Sequence, residues 1–312
     1  MAAEHDLECN QYDVIAAFLK AMMDDHNIYV EMHHGFADRP EKVGMVCLLL
    51  MALYGLKQAP LLWYAEFTKF MRSHGYNPFM SDSCVFSNGT TIVVVYVDDL
   101  LIFASLISSV EAAALLIGAR FAMRSLGPLH YYLGMRIIRD RSKRRIMIVQ
   151  DGYLDSVALK FAQELAPLLP QTTPLGKTTA DALTIAAEGY EAPTAIKTLY
   201  QTLVGTAVWP AMISRPDCCY EVGLLCRFLK NPTPAHLDAI ITVLRYLVGT
   251  KTLGMLFQGS TTGAGELNVH AFTDASWGDD KATRRSTGGT LIKIAGAPLF
   301  YKSGRQTVVV LS

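Results

Sequence analysis

Half of the 312 residues are hydrophobic (51%), 18% are charged, and Lys+Arg balance Asp+Glu at 28 each. Such a chain is globular with a substantial core, long enough for two domains or one and a fraction, which excludes an intrinsically disordered protein. The zero net charge excludes a global pull toward nucleic acid, so any such binding rests on local basic patches.

From the N-terminus, Asp13-Val14-Ile15-Ala16-Ala17-Phe18-Leu19 begins as a strand and turns toward a helix or loop. Asn27 to Met32 is a second short strand, followed by polar loop residues around Gly35 and Pro40. Val46 to Leu53 comes next, closed by Tyr54-Gly55-Leu56-Lys57-Gln58-Ala59-Pro60. Pro60 at a helix start and Gly75 at a helix end bracket Leu61 to His74. There Trp63, Phe67, Phe70 and Met71 share one face while Glu66, Lys69 and Arg72 point elsewhere, the pattern of an amphipathic helix. Thr91 to Val95 and Leu100 to Phe103 are apolar and β-branched enough for two buried strands, with Tyr96-Val97-Asp98-Asp99 at the turn between them. A helix follows around Ser109 to Arg124, with Gly127-Pro128 as its stop signal.

Tyr131 to Gln150 reads as a hairpin that pairs Leu133–Ile138 with Arg145–Val149. Its tip carries Arg139, Arg141, Lys143, Arg144 and Arg145, either a solvated turn or a contact for a phosphate backbone. A Thr- and Pro-rich loop, Pro167 to Pro174, and a weakly patterned stretch to Pro193 suggest a linker. Three helical segments follow, broken at Pro210, Pro216 and Pro232. In the last, Thr233 is the N-cap, Pro234 takes the first helical position and Gly249 sits just past the end. Leu237, Ile240, Ile241, Leu244 and Val248 make its expected buried stripe. A new unit begins near Glu266. Leu267 to Thr273 is a strand ending at Asp274, and Thr290–Ile294 and Leu299–Tyr301 are two more before the run Val308 to Ser312.

None of the cysteines (Cys9, Cys47, Cys84, Cys218, Cys219, Cys226) forms a CxxC pair, and the histidines complete no zinc pattern. Buried thiols in a reducing compartment is the ordinary reading. There is no signal-peptide apolar region at the N-terminus, and the longest apolar run, Met45 to Tyr54, is too short to span a bilayer. An intracellular protein is expected, cytoplasmic or nuclear, not secreted and without a membrane partner.

The adjacent Asp98 and Asp99 are the sharpest chemical signal. Two like charges side by side repel by about 1–4 kcal/mol at the dielectric of a protein surface. A cation offsets that repulsion, and Mg²⁺ (or Mn²⁺) held by carboxylates and substrate phosphates suits it. The bland alternative is a solvated hairpin turn. With Asp13 at the end of a strand, the hairpin brings three carboxylates to one sheet edge. The order strand, helix, hairpin, helix is that of a split β-α-β unit with an antiparallel sheet. Three carboxylates can hold two Mg²⁺ ions about 3.5–4 Å apart, activating an attacking 3′-hydroxyl and stabilising a leaving pyrophosphate.

Asp13-Val14-x-x-Ala17-Phe18-Leu19, Leu53-Tyr54-Gly55-Leu56-Lys57-Gln58-Ala59-Pro60-x-x-Trp63-Tyr64 and Tyr96-Val97-Asp98-Asp99-Leu100-Leu101 resemble the reverse transcriptase of copia-type LTR retrotransposons. The likeness continues through Leu133-Gly134-Met135, Tyr200-x-x-Leu203-Val204-Gly205, Arg215-Pro216-Asp217, Asn231-Pro232-Thr233 and Leu244-Arg245-Tyr246-Leu247-x-Gly249-Thr250. Thr273-Asp274-Ala275-Ser276-Trp277 and Arg284-Arg285-Ser286-Thr287 resemble the start of the family's RNase H domain. The resemblance covers nearly the whole chain, in order.

It implies an α+β fold. A right-hand polymerase palm with an antiparallel sheet would occupy residues 1–150, a helical thumb and connection 151–262, and a truncated RNase H-like α/β piece 263–312. It implies that Asp13, Asp98 and Asp99 are catalytic and hold metal, with the Val14 carbonyl also facing it. Phe18 would be a steric gate against a ribose 2′-OH, and Gln58 would line the nucleotide pocket. Tyr96, Gly134 and Met135 would position the primer, and Asp274 would be the first ligand of an RNase H site. The implied partners are an RNA template, a DNA primer and deoxynucleoside triphosphates, with other Pol segments or a second copy as further options.

Three departures temper that expectation. Only 12 residues precede Asp13, which implies that most of the fingers, with the cations that grip the triphosphate, are missing. The chain stops before the later RNase H carboxylates, so no RNase H activity is expected from this chain alone. Leu48-Leu49-Leu50-Met51 and Leu61-Leu62 stand where the family carries basic residues. A polymerase that is truncated and weak or inactive is therefore expected. The alternative is a catalytically silent remnant that only binds nucleic acid or a partner chain, and a nuclease working at Asp274 is a third reading.

Overall fold

Along Thr91–Tyr96 buried Thr91, Val93 and Val95 alternate with more exposed neighbours, the two-residue period of a strand with one face in the core. The computed structural model describes residues 1–24, 27–33, 35, 44–167, 171–260, 268–278 and 283–309. Pro40, Glu266, Leu267 and the end of the C-terminal run, all named above, lie outside them. The chain divides into two units, one of Ala2 and Asp6–Leu129, the other of Met1, Ala3–His5 and His130–Ser312.

The first unit contains β1 (Glu8–Val14), β2 (Tyr29–Glu31), β3 (Val46–Leu48), α1 (Ala59–Ser73), β4 (Asn77–Pro78), β5 (Val85–Ser87), β6 (Thr91–Tyr96), β7 (Asp99–Ala104), α2 (Ile107–Arg120) and β8 (Met123–Pro128). Six strands form an antiparallel sheet in the order β4-β5-β6-β7-β1-β8, and β2 pairs with β3 separately. The inner run β6-β7-β1-β8, with α1 joining β1 to the hairpin and α2 leaving it, is the expected split β-α-β arrangement. Both helices cover one face of this sheet. Trp63, Phe67 and Met71 of α1 and Val110, Ala113 and Ile117 of α2 share a buried cluster with Tyr12, Val14, Val93, Val95, Leu100 and Ile102. Phe121 meets the Trp63 ring edge-on at 5.1 Å, a geometry worth about 0.5–1.5 kcal/mol beyond area burial.

The second helix is shorter than its sequence suggests. It stops at Arg120, and Met123 and Arg124 enter β8 opposite Val14 and Asp13 of β1. Strand pairing wins there over the helical propensity of the preceding run. Gly127-Pro128, read as a stop signal, lies within the paired segment, where the register shifts between Gln11 and Tyr12 and Gly127 takes φ 78°.

In the second unit β9 (Tyr131–Tyr132), β10 (Met135–Asp140), β11 (Arg145–Val149) and β12 (Met255–Gln258) form an antiparallel sheet in the order β12-β11-β10-β9. Between β11 and β12 run α3 (Asp151–Lys160), α4 (Ala162–Leu165), α5 (Lys177–Ala182), α6 (Thr194–Ile213), α7 (Cys219–Leu225) and α8 (Pro234–Gly249). The strands β13 (Val269–Ser276), β14 (Thr287–Ile294) and β15 (Ala297–Arg305) form a three-stranded antiparallel sheet.

Pro210 does not break its helix. Lacking an N–H, it leaves the Thr206 carbonyl without a helical donor, and the Tyr153 hydroxyl donates there at 2.9 Å, so α6 continues to Ile213. The motif residues beyond it meet one another. Arg215, 1% exposed at its side chain, donates to both Asp217 oxygens and to Thr250, and Tyr246 donates to Asp217 Oδ2 at 2.7 Å. A buried guanidinium satisfied this way ties the end of α6 to the end of α8. At the other end of α8, Thr233 N–H donates to His236 Nδ1 at 2.9 Å, completing a capping box. The buried face of α8 is wider than the expected stripe. It takes in His236, Ala239, Val243 and Leu247, while Leu237 and Ile241 are only partly buried, because α3, α4, α6 and α7 all pack on it.

Candidate active site

Tyr96 pairs with Asp99, so Val97 and Asp98 are the two central residues of a tight hairpin turn between β6 and β7. Val97 has φ 58°. A β-branched side chain in the left-handed region costs on the order of 1–3 kcal/mol and persists only where its surroundings hold it. Two hydrogen bonds do so. The indole of Trp63 donates to the Val97 carbonyl at 2.6 Å, and the Val14 amide donates to the Asp98 carbonyl at 2.7 Å. The first fastens the turn to α1, the second to the end of β1, and together they fix where Asp98 and Asp99 stand relative to Asp13.

The strand register then aligns a row of polar side chains. Tyr96 of β6 is opposite Asp99 of β7, Asp99 is opposite Asp13 of β1, and Asp13 is opposite Arg124 of β8. These positions alternate with Val95, Leu100 and Val14, which point into the helix-covered core, so the row lies on the other face of the sheet. The carboxylates stand at the ends of the inner strands β7 and β1 and in the turn that precedes β7. Tyr96 is 57% exposed beside them.

The electrostatics follow from this crowding. Burial pushes the Asp99 carboxyl up, and the charges of Asp98 and Asp13 push the same way, while a hydrogen bond from the buried Gln11 side chain opposes them. Asp13 has a cation at hand. Arg124 donates to Asp13 Oδ2 at 3.1 Å.

Phe18 lies in the 3-10 turn Ala17–Lys20 just after β1, is 8% exposed, and packs its ring 4.5 Å from that of Tyr54. Tyr54 hydrogen-bonds the Ala17 backbone, and its ionisation is pushed up by burial of the hydroxyl and then by Asp98 and Asp13. Its hydroxyl thus feels the carboxylates directly. Gln58 is half-buried just before α1, its carbonyl accepting from the Leu62 amide at 3.1 Å. Val14 is buried, and its amide is committed to Asp98.

Gly134, Met135 and Asp274 belong to the second unit. Leu133 (φ 48°) and Gly134 (φ 78°) make the turn from β9 to β10, the paired positive φ angles that tight hairpins favour. Met135 is half-buried at the start of β10. Asp274 is exposed, opposite Gly289, and does not end its strand, because pairing of β13 with β14 continues to Ser276. Gln11, Tyr54 and Arg124 escaped the sequence reading as site residues. Tyr54 had a signal, its place in the Leu-Tyr-Gly-Leu motif, whereas Gln11 and Arg124 join the site only through strand order.

By their chemistry three carboxylates are hard oxygen donors of the kind a divalent cation takes, and the charges of Asp98 and Asp13 both push the carboxyl of Asp99 up. Among the described residues no group of three or more His, Cys, Asp or Glu side chains is gathered as a ready-made metal site, and one oxygen of Asp13 is engaged by Arg124. Among those residues no helix is long and apolar enough to cross a membrane.

Residues 1–177 match the family described as reverse transcriptase (RNA-dependent DNA polymerase). The chain is 35% identical to the retrovirus-related Pol polyprotein from transposon TNT 1-94 of Nicotiana tabacum, over all of this chain and 23% of that protein. It is 31% identical to the corresponding polyprotein from transposon RE1 of Arabidopsis thaliana, over all of this chain and 20% of that one. A putative transposon Ty5-1 protein of Saccharomyces cerevisiae is 30% identical over 96% of this chain and 94% of its own length. The chain thus spans about a fifth to a quarter of the length of the two polyproteins.

Proposed function

The chain belongs to the reverse transcriptase (RNA-dependent DNA polymerase) family of copia-type retrotransposon Pol polyproteins, and from that premise we propose that it adds deoxynucleotides to a DNA primer on an RNA template. The observation that carries the proposal is the cross-strand pair of Asp13 and Asp99 next to the pinned Val97–Asp98 turn. Asp13, Asp98 and Asp99, with the Val14 carbonyl, would hold Mg²⁺ or Mn²⁺. When bound, those ions favour ionisation of the primer 3′-hydroxyl and neutralise charge on the departing pyrophosphate.

The chain's own residues supply position and selectivity. The carboxylate row faces away from the helices, and exposed Tyr96 stands beside the row, where it would orient a primer end. Phe18, backed by Tyr54, forms a rigid wall that would exclude a ribose 2′-OH. Gln58 contributes a side-chain amide to the nucleotide pocket, and Gly134 and Met135 carry the primer grip. The palm runs to about residue 150 in this proposal, the thumb and connection to about 262, and an RNase H-like segment with Asp274 follows. Other Pol segments or a second copy are the protein partners.

Primer extension on an RNA template with deoxynucleotides and Mg²⁺ or Mn²⁺, run beside Asp98→Asn, tests this. Extension that vanishes in the variant supports the proposal. Absence of extension by folded wild-type protein favours the silent alternative, a chain that only binds.

A further inference from the structure

Asp13 stands between two unlike neighbours. Asp99 faces it across one side of β1, a like charge that opposes the fold, and Arg124 faces it across the other. The guanidinium reaches Asp13 Oδ2 at 3.1 Å, with 67% of the Arg124 side chain and 28% of the Asp13 side chain exposed. A pair this open is screened by solvent and held loosely. The oxygen that Arg124 occupies belongs to a carboxylate that the reading above assigns to a divalent cation. Guanidinium and cation compete for the same lone pairs, and each relieves the same repulsion within the row.

We propose that Arg124 is a built-in counter-ion of the carboxylate row. It steadies Asp13 against Asp99 while no divalent cation is bound and must release Asp13 when one binds. Arg124 thereby sets the cation concentration at which the site fills. It is a positioning residue that acts through Asp13. The inference rests on the reading of Asp13, Asp98 and Asp99 as cation ligands, and its test separates the two.

Mn²⁺ binding to the full chain is measured by electron paramagnetic resonance for the wild type, for Arg124→Gln and Arg124→Ser as two neutral variants, for Arg124→Lys, and for Asp98→Asn. Removal of one screened positive charge beside the ion is expected to tighten Mn²⁺ about three- to tenfold in the neutral variants. Arg124→Lys is expected to stay within about twofold of the wild type, since it keeps the charge. Mn²⁺ is also expected to raise the melting midpoint of Arg124→Gln more than that of the wild type, a gain that a merely structural role for Arg124 would not produce. Neutral variants that bind Mn²⁺ no tighter than the wild type, while Asp98→Asn binds more weakly, would overturn the inference and leave the carboxylate reading standing. Wild-type binding that Asp98→Asn leaves unchanged, or no binding at all, would overturn both.

Discussion

Trp63 donates its indole N–H to the Val97 carbonyl at 2.6 Å, so a helix residue 34 positions earlier holds the backbone of the carboxylate turn. The bond explains how Val97 keeps a positive φ that its side chain resists. It also ties the carboxylate turn to the core, because the same indole packs against Phe67 and Phe121.

Trp63→Phe keeps much of that packing and removes the donor. The Val97 carbonyl then loses its partner, and part of the indole volume becomes void. The expected destabilisation is about 2–4 kcal/mol, from the unsatisfied acceptor and the cavity together, read as a lower urea midpoint with an unchanged slope. Extension should fall by more than the remaining folded fraction accounts for, since the turn is then free to relax.

The carboxylate row also makes a pH signature. Burial, then the charges of Asp98 and Asp13, hold the Asp99 carboxyl above its ordinary value. The folded state therefore keeps that proton to higher pH than the unfolded chain does. Its contribution to stability is fully present below the unfolded value and is lost as pH rises through the folded one. Near neutral pH the ionised row opposes folding, so Asp99→Asn should raise stability there by on the order of 0.5 kcal/mol. The gain should disappear near pH 3, about where both forms are uncharged. Urea unfolding at the two pH values checks it, and an Asn variant that is less stable near pH 7 would contradict it.

Gly134 offers a packing test of a residue proposed for the primer grip. A Cβ placed there would stand 2.8 Å from Trp209 Cη2, and φ is 78°. Gly134→Ala should cost about 1–3 kcal/mol from strain and overpacking. Adding Trp209→Phe should recover part of that cost, leaving the backbone term. A double-mutant cycle by thermal unfolding measures the coupling, and strictly additive effects would show that Trp209 does not set the need for glycine.

Much of this was legible in the chain itself. The apolar, β-branched run of Thr91–Val95, the face of Trp63, Phe67 and Met71, and the Thr233-Pro234 start each encode a local decision that the fold keeps. The reach of α2 was not, because the run into Arg124 favours helix locally and only the partner strand β1 draws Met123 and Arg124 into the sheet. Pro210 misled for a similar reason, since the hydroxyl that rescues its helix comes from Tyr153 in another helix. The three carboxylates were visible as motifs. Their alignment with Tyr96 and Arg124 depends on strand order, which no local pattern carries. Arg215, Asp217, Tyr246 and Thr250 likewise stood out as motif residues, and only the tertiary structure gives them a joint role as a buried tie.

Single-nucleotide addition to a primer on an RNA template, measured for the wild type and for Asp13→Asn, Asp98→Asn and Asp99→Asn with thermal melts alongside, tests the central claim most directly. Extension by the wild type and a loss of at least about a hundredfold in each variant, with all four chains folded, is the predicted result. Variants that extend primers as fast as the wild type, or a folded wild type that adds no nucleotide, would contradict it.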